Sequence, residues 1–162
     1  MYRWVVFLHI LGAFGFFMAH GASAVMAFRL QIERDLKRIQ AVLDLSNAAL
    51  PVMYISLLVL LIAGIAAGII GNWFSQGWIW ASLVILVVLA GWMMYYAARF
   101  YTPVRKAVGL PYNEGRKEFP AQPPRSEAEI DTLIRAANPV MLLAVSSGLI
   151  AVILWLMVFK PF

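Results

Sequence analysis

Residues 4–28 run for twenty-five positions without a charged side chain, and they hold both histidines of the chain, His9 and His20. As a helix this run is about 37 Å long, enough to cross a hydrocarbon core of about 30 Å with some tilt. The histidines are eleven positions apart. At about 100° per residue that is three turns and roughly 20°, so both rings leave one face, about 16 Å apart along the axis. The same face carries the small residues Gly12, Ala13, Ser23, Ala24 and Ala27. Exposing a histidine to lipid is costly, so this face is expected to point inward, towards another helix or a bound ligand.

Three further apolar runs give spans at about 48–70, 78–98 and 139–159, joined by charged segments 29–47 and 99–138. Hydrophobic residues make up 63% of the chain and charged ones 13%, far from a soluble protein's usual quarter charged. At 162 residues the chain is one domain. The expected fold is all-α, a polytopic membrane four-helix bundle in the lipid bilayer. The net charge of +5 does not imply nucleic acid, because the basic residues flank the spans. The absence of cysteine excludes disulfides and thiolate metal sites. The first run is too long for a signal peptide's apolar region and is preceded only by Arg3, so it reads as a retained helix.

Between the spans, Leu36, Ile39 and Leu43 recur at helical spacing and predict a short helical extension at the interface. Ser46 and Asn47 are candidate caps of the second span, with Pro51 in its first turns. Trp73, Trp78 and Trp80 suggest an aromatic belt. The proline-rich stretch 102–125 reads as an exposed loop. Ser126-Glu127-Ala128-Glu129 is a capping box that starts a helix, which Pro139 would kink on entering the last span. Gly64 and Gly68 form a GxxxG motif, suited to packing inside one bundle or to a homo-oligomer seam. Ala48-Ala49-Leu50-Pro51-Val52-Met53 recurs as Ala136-Ala137-Asn138-Pro139-Val140-Met141, five identities in six. The echo fits a parallel repeat of two helical hairpins.

No motif of a soluble enzyme is present, and no acidic residue lies in a span. Chemistry therefore falls to histidine and methionine. Imidazole suits haem iron and copper, and thioether suits Cu(I) and haem. His9 and His20 are the candidate cofactor ligands, with Met18 and Met53 as candidate metal partners of His20. Against this stands plain packing, in which each histidine is satisfied by a hydrogen bond, with Ser56, Ser82 or Ser146 as candidate partners on neighbouring helices.

Phe7-Leu8-His9-Ile10-Leu11-Gly12-Ala13 resembles the first span of bacterial four-helix integral membrane proteins grouped near the copper-resistance D type. It is more distantly similar to the membrane-bound protoporphyrinogen oxidase of J type. The resemblance implies a four-helix bundle and haem b or copper at His9. No span here contains a buried lysine or arginine, and protoporphyrinogen oxidation is not assigned. Three readings stand: a haem- or copper-binding membrane protein, a non-catalytic accessory subunit of a larger membrane complex, and a membrane enzyme acting on a lipophilic substrate.

Eleven of the thirteen lysines and arginines lie in segments 29–47 and 99–138. The positive-inside rule then places both segments in the cytoplasm and both termini outside a bacterial inner membrane. Reporter fusions after Arg38 and after Arg116 should report cytoplasm, and one after Phe162 the outside. A cytoplasmic report from the last fusion would mean that a span has been miscounted.

Overall fold

The computed structural model describes residues 1–115 and 117–162; Arg116, counted above among the basic residues, lies outside them. Among the described residues, four helices are long and apolar enough to cross a membrane, and the chain is a multi-pass, all-α membrane bundle. Helix α1 is Tyr2–Ile32 and α2 is Leu36–Ile70. A 3-10 turn, Trp73–Ser75, leads into α3, Gly77–Tyr96. The chain then continues through a π-helical turn, Ala97–Tyr101, into α4, Thr102–Ala107. A small antiparallel hairpin follows, β1 Tyr112–Glu114 with β2 Lys117–Phe119, in which Tyr112 stacks on Phe119. Helices α5, Glu127–Ala136, and α6, Pro139–Phe159, complete the chain.

Helix α1 packs along α2, and α3 packs along α6, giving two helical hairpins; α1 also touches α6. The tightest approach is at Gly12. A Cβ there would lie 2.7 Å from the Leu60 nitrogen and 3.0 Å from the Ser56 carbonyl oxygen, so only glycine lets α1 come this close to α2. Gly15 sits one turn further on, where a Cβ would run into the Ser56 hydroxyl.

The second helix begins twelve residues before the expected start of its span. Asp35 caps it, accepting from the Arg38 N–H at 2.9 Å, and the helix runs unbroken past Ser46 and Asn47, which are therefore not caps. Pro51 lies inside it and withholds the N–H that would bond the Asn47 carbonyl. Helices α5 and α6 are separate, not one kinked rod. Ala137 and Asn138 are extended, the Asn138 side chain caps α6 by accepting from the Met141 N–H at 2.9 Å, and Pro139 takes the first helical position, where its missing N–H costs nothing. The capping box at Ser126 and Glu129 forms as the sequence indicates.

The stretch 102–110 is not an exposed loop. Val104, Ala107 and Val108 are fully buried and meet Leu30, Ile39, Leu43, Ile130 and Ile134 in the largest buried apolar cluster of the protein. This cluster lies at the charged end of the bundle. Arg105 pins it by donating to the Pro111 and Leu43 carbonyls and to Asp44, each at 3.0 Å. Gln40 donates to the Val108 carbonyl at 2.6 Å, and Gln31 donates to the Ile134 and Ala137 carbonyls. Beside the cluster, the Arg34 backbone N–H donates to Glu33 at 3.1 Å and holds that carboxyl below its ordinary range, with the Arg29 guanidinium adding to the effect. At the opposite end Trp78 is buried with Ile79 and Leu156 rather than facing lipid, and the Lys160 ammonium sits over the Trp73 ring at 4.1 Å. Trp80 remains exposed, as a belt residue should.

Two measurements follow from this packing. Ile134→Ala should cost about 2–4 kcal/mol, as for a buried aliphatic side chain, and should speed proteolysis between residues 111 and 125. A loss within about 0.5 kcal/mol would mean that the segment is the solvated loop its prolines suggest. Gly12→Ala should destabilise more than Gly64→Ala, because Gly12 faces backbone whereas Gly64 faces only the His9 ring, at 2.8 Å from a Cβ. In a His9→Ala background the Gly64→Ala penalty should shrink while that of Gly12→Ala persists; equal shrinkage would refute this seating of His9.

Candidate functional site

His9 is half-buried against α2, with Nδ1 2.8 Å from the Leu60 carbonyl oxygen. A carbonyl only accepts, so Nδ1 carries the hydrogen, the ring is a donor there, and Nε2 keeps the lone pair. Gly64 is where that ring fits. A Cβ at Gly64 would meet His9 Nδ1 and Cε1, and one at Gly68 would meet Phe74 and Ile79. Both glycines of the GxxxG motif thus face side chains of their own chain. The Gly12 surface beside His9 is occupied by α2.

His20 is buried, 6% exposed, and reaches α6: Nε2 lies 2.9 Å from the Ser146 hydroxyl. Ser146 is itself fully buried and gives its single hydrogen to the Leu142 carbonyl at 2.7 Å. It must therefore accept from His20, which puts the hydrogen on Nε2 and the lone pair on Nδ1. That Nδ1 is enclosed and has no hydrogen-bond partner among the described residues. Phe16, one turn earlier, lies parallel to the imidazole with ring centroids 6.2 Å apart. Of the three serines considered from the sequence, Ser146 is the one that binds a histidine. Ser82 bonds back to the Trp78 carbonyl of its own helix at 2.8 Å, and Ser56 packs at Gly15.

The two histidines therefore serve different helices, and neither is joined by the other. Met18 is 70% exposed on the outside of α1, roughly 200° round the helix from His20. Met53, Met26, Met93 and Met94 line the same cavity between the hairpins as His20. Among the described residues, no three histidine, aspartate or glutamate side chains converge as a metal-ligand group.

That cavity has a volume of about 630 Å³. On α1 it runs from Phe16 to Leu30, a height of about 21 Å at 1.5 Å per residue. Its upper walls are apolar, with His20 as the deep polar group. Its lower rim, at the charged end, includes Asp44, Asn47, Arg105, Asn113 and Glu118. The Tyr101 hydroxyl in its wall is also enclosed without a hydrogen-bond partner among the described residues. Tyr96, almost wholly buried in the same wall, is satisfied: its hydroxyl donates to the Asn138 carbonyl and accepts from the Asn138 N–H, both at 2.6 Å.

Sequence reasoning missed this cavity and its rim. The signal was present only for the cluster beside it, since Val104, Ala107 and Val108 stand at i, i+3 and i+4, the spacing of a buried helical face. Set against known protein families, curated proteins and solved structures, the chain matches none.

Proposed function

We propose that this is an inner-membrane protein, both termini outside, that holds a lipophilic small molecule in the cavity between its two hairpins. One observation carries the reading: a space of about 630 Å³ between the hairpins, within the range of small-molecule sites, with largely apolar walls above and most of its polar and charged groups gathered at the charged end. Such a volume is more than a metal ion needs and suits a ligand with an extended apolar body. His20 supplies a fixed polar landmark at its deep end, held in orientation by Ser146 and by the Phe16 ring.

A second reading is favoured by the His9 geometry. Donation of Nδ1–H to a backbone carbonyl is the arrangement that orients a ligating imidazole and frees Nε2 for iron. His9 would offer haem b a single-histidine ligand through Nε2, and haem would supply one-electron redox chemistry there. The resemblance of residues 7–13 to the copper-resistance D type proteins supports the same position. His20 does not fit as a haem or copper ligand: its Nε2 is committed to Ser146 and its Nδ1 is enclosed.

Protein purified in a mild detergent should carry a bound lipophilic molecule, detectable by native mass spectrometry after delipidation. Ala24→Phe, which fills the cavity from α1, should lose it while the fold is kept. An empty parent protein, or unchanged retention in the filled variant, would refute the cavity reading. An absorption spectrum of the same sample tests the second reading, since a Soret band abolished by His9→Ala but not by His20→Ala would assign haem to His9.

A further inference from the structure

Resting on the cavity reading, we infer that the ligand is a membrane amphiphile whose head donates hydrogen bonds and is neutral or cationic, held with its head at the cytoplasmic rim and its apolar body reaching up to His20. The rim decides the head. Its acceptors are the carboxylates of Asp44 and Glu118 and the Asn47 carbonyl, which Pro51 leaves without its helical N–H. The guanidinium on the rim, Arg105, is paired with Asp44 and also donates to the Pro111 and Leu43 carbonyls, which leaves the Glu118 carboxylate as the rim charge without a partner among the described residues. Among the described residues Glu118 has neither a salt bridge nor a side-chain hydrogen bond. Among the described lining residues two carboxylates stand against one guanidinium, so an anionic head meets a net negative rim, whereas a hydroxyl or ammonium head finds acceptors.

The walls decide the body. About 21 Å of height exceeds one leaflet of a hydrocarbon core, about 15 Å, so an extended chain fits from the interface to the level of Phe16. Tyr54 on α2 and Met94 on α3 both line the cavity and are both more than half exposed, so its α2–α3 side borders the surrounding lipid. A molecule dissolved in the membrane can reach the space from that side without crossing the packed α1–α2 or α3–α6 seams.

The test uses photoactivatable amphiphiles with one saturated chain, a diazirine on that chain, and a hydroxyl, ammonium or carboxylate head, added to the full chain in lipid nanodiscs. Labelled residues are mapped by mass spectrometry. The hydroxyl and ammonium probes should label the inward-facing Ala24 and Leu89, and the carboxylate probe should label them about three- to fivefold less, the scale of one exposed charge pair. Glu118→Lys should move the preference towards the carboxylate. Equal labelling of Ala24 by all heads, or a ranking untouched by Glu118→Lys, overturns the head assignment and leaves the cavity reading standing. Labelling of lipid-facing Val25 and Val87 by every probe, with none at Ala24 or Leu89, overturns the cavity reading as well.

Discussion

The approach of α1 to α2 at Gly12 fixes much of what the upper bundle can do. With the Leu60 backbone against Gly12, the His9 ring one turn earlier has one place to go, across Gly64, and its Nδ1 meets the Leu60 carbonyl there. In lipid a polar group has no water to fall back on, so this bond and this fit are conditions of the fold and not ornaments on it. Small residues at a helix seam are usually read as meeting other backbones. Here they divide the work: Gly12 admits a helix, Gly64 admits an imidazole, and Gly68 admits Phe74 and Ile79.

The second histidine obeys the same rule with a different partner. His20 bonds to Ser146, and so links the two hairpins where α1 meets α6. Ser146 passes its own hydrogen to the Leu142 carbonyl, so the chain of donors ends on backbone, and the direction of each bond follows from that end. The remaining lone pair on Nδ1 is the less costly atom to leave alone, because an enclosed acceptor is tolerated more often than an enclosed N–H.

The four spans were legible because lipid leaves few alternatives: a run such as residues 4–28 can cross only as a helix. The inward face of the first helix was legible for the same reason, since two histidines eleven positions apart cannot both be hidden unless that face is covered. What the sequence concealed was of two kinds. The Leu60 carbonyl has no signature, because every residue carries one, so the partner of His9 had to be seen. The cluster around Val104, Ala107 and Val108 was obscured by Pro103 and by the charges of Arg105 and Lys106, which suggested a loop. Lys106 in fact pairs with Glu114, and Arg105 reaches back to bond the Leu43 carbonyl and Asp44. Pro51 misled in a similar way. A proline fits the start of a helix and so suggested one, but a membrane helix can carry proline in its interior where other groups take up the freed carbonyl.

The cavity follows from how the hairpins are joined. Helices α2 and α3 are connected through the short turn at residues 71–76, which draws their outer ends together around Trp73, Trp78 and Ile79. The cavity uses residues 43–57 of α2 and 86–96 of α3, with Ala97 and Tyr101 of the π-helical turn. There the helices are held not by each other but by what lies beneath them, the cluster of α4 and α5 with Leu30, Ile39 and Leu43, pinned by Arg105. A wedge closed at the outer end, propped open at the charged end and tied along one edge by His20 and Ser146 must enclose a space unless side chains fill it. Ala24, Ala27 and Ala90 in its walls are too small to do so. The same contact that lets His20 survive in the membrane therefore also ties one edge of the site it borders.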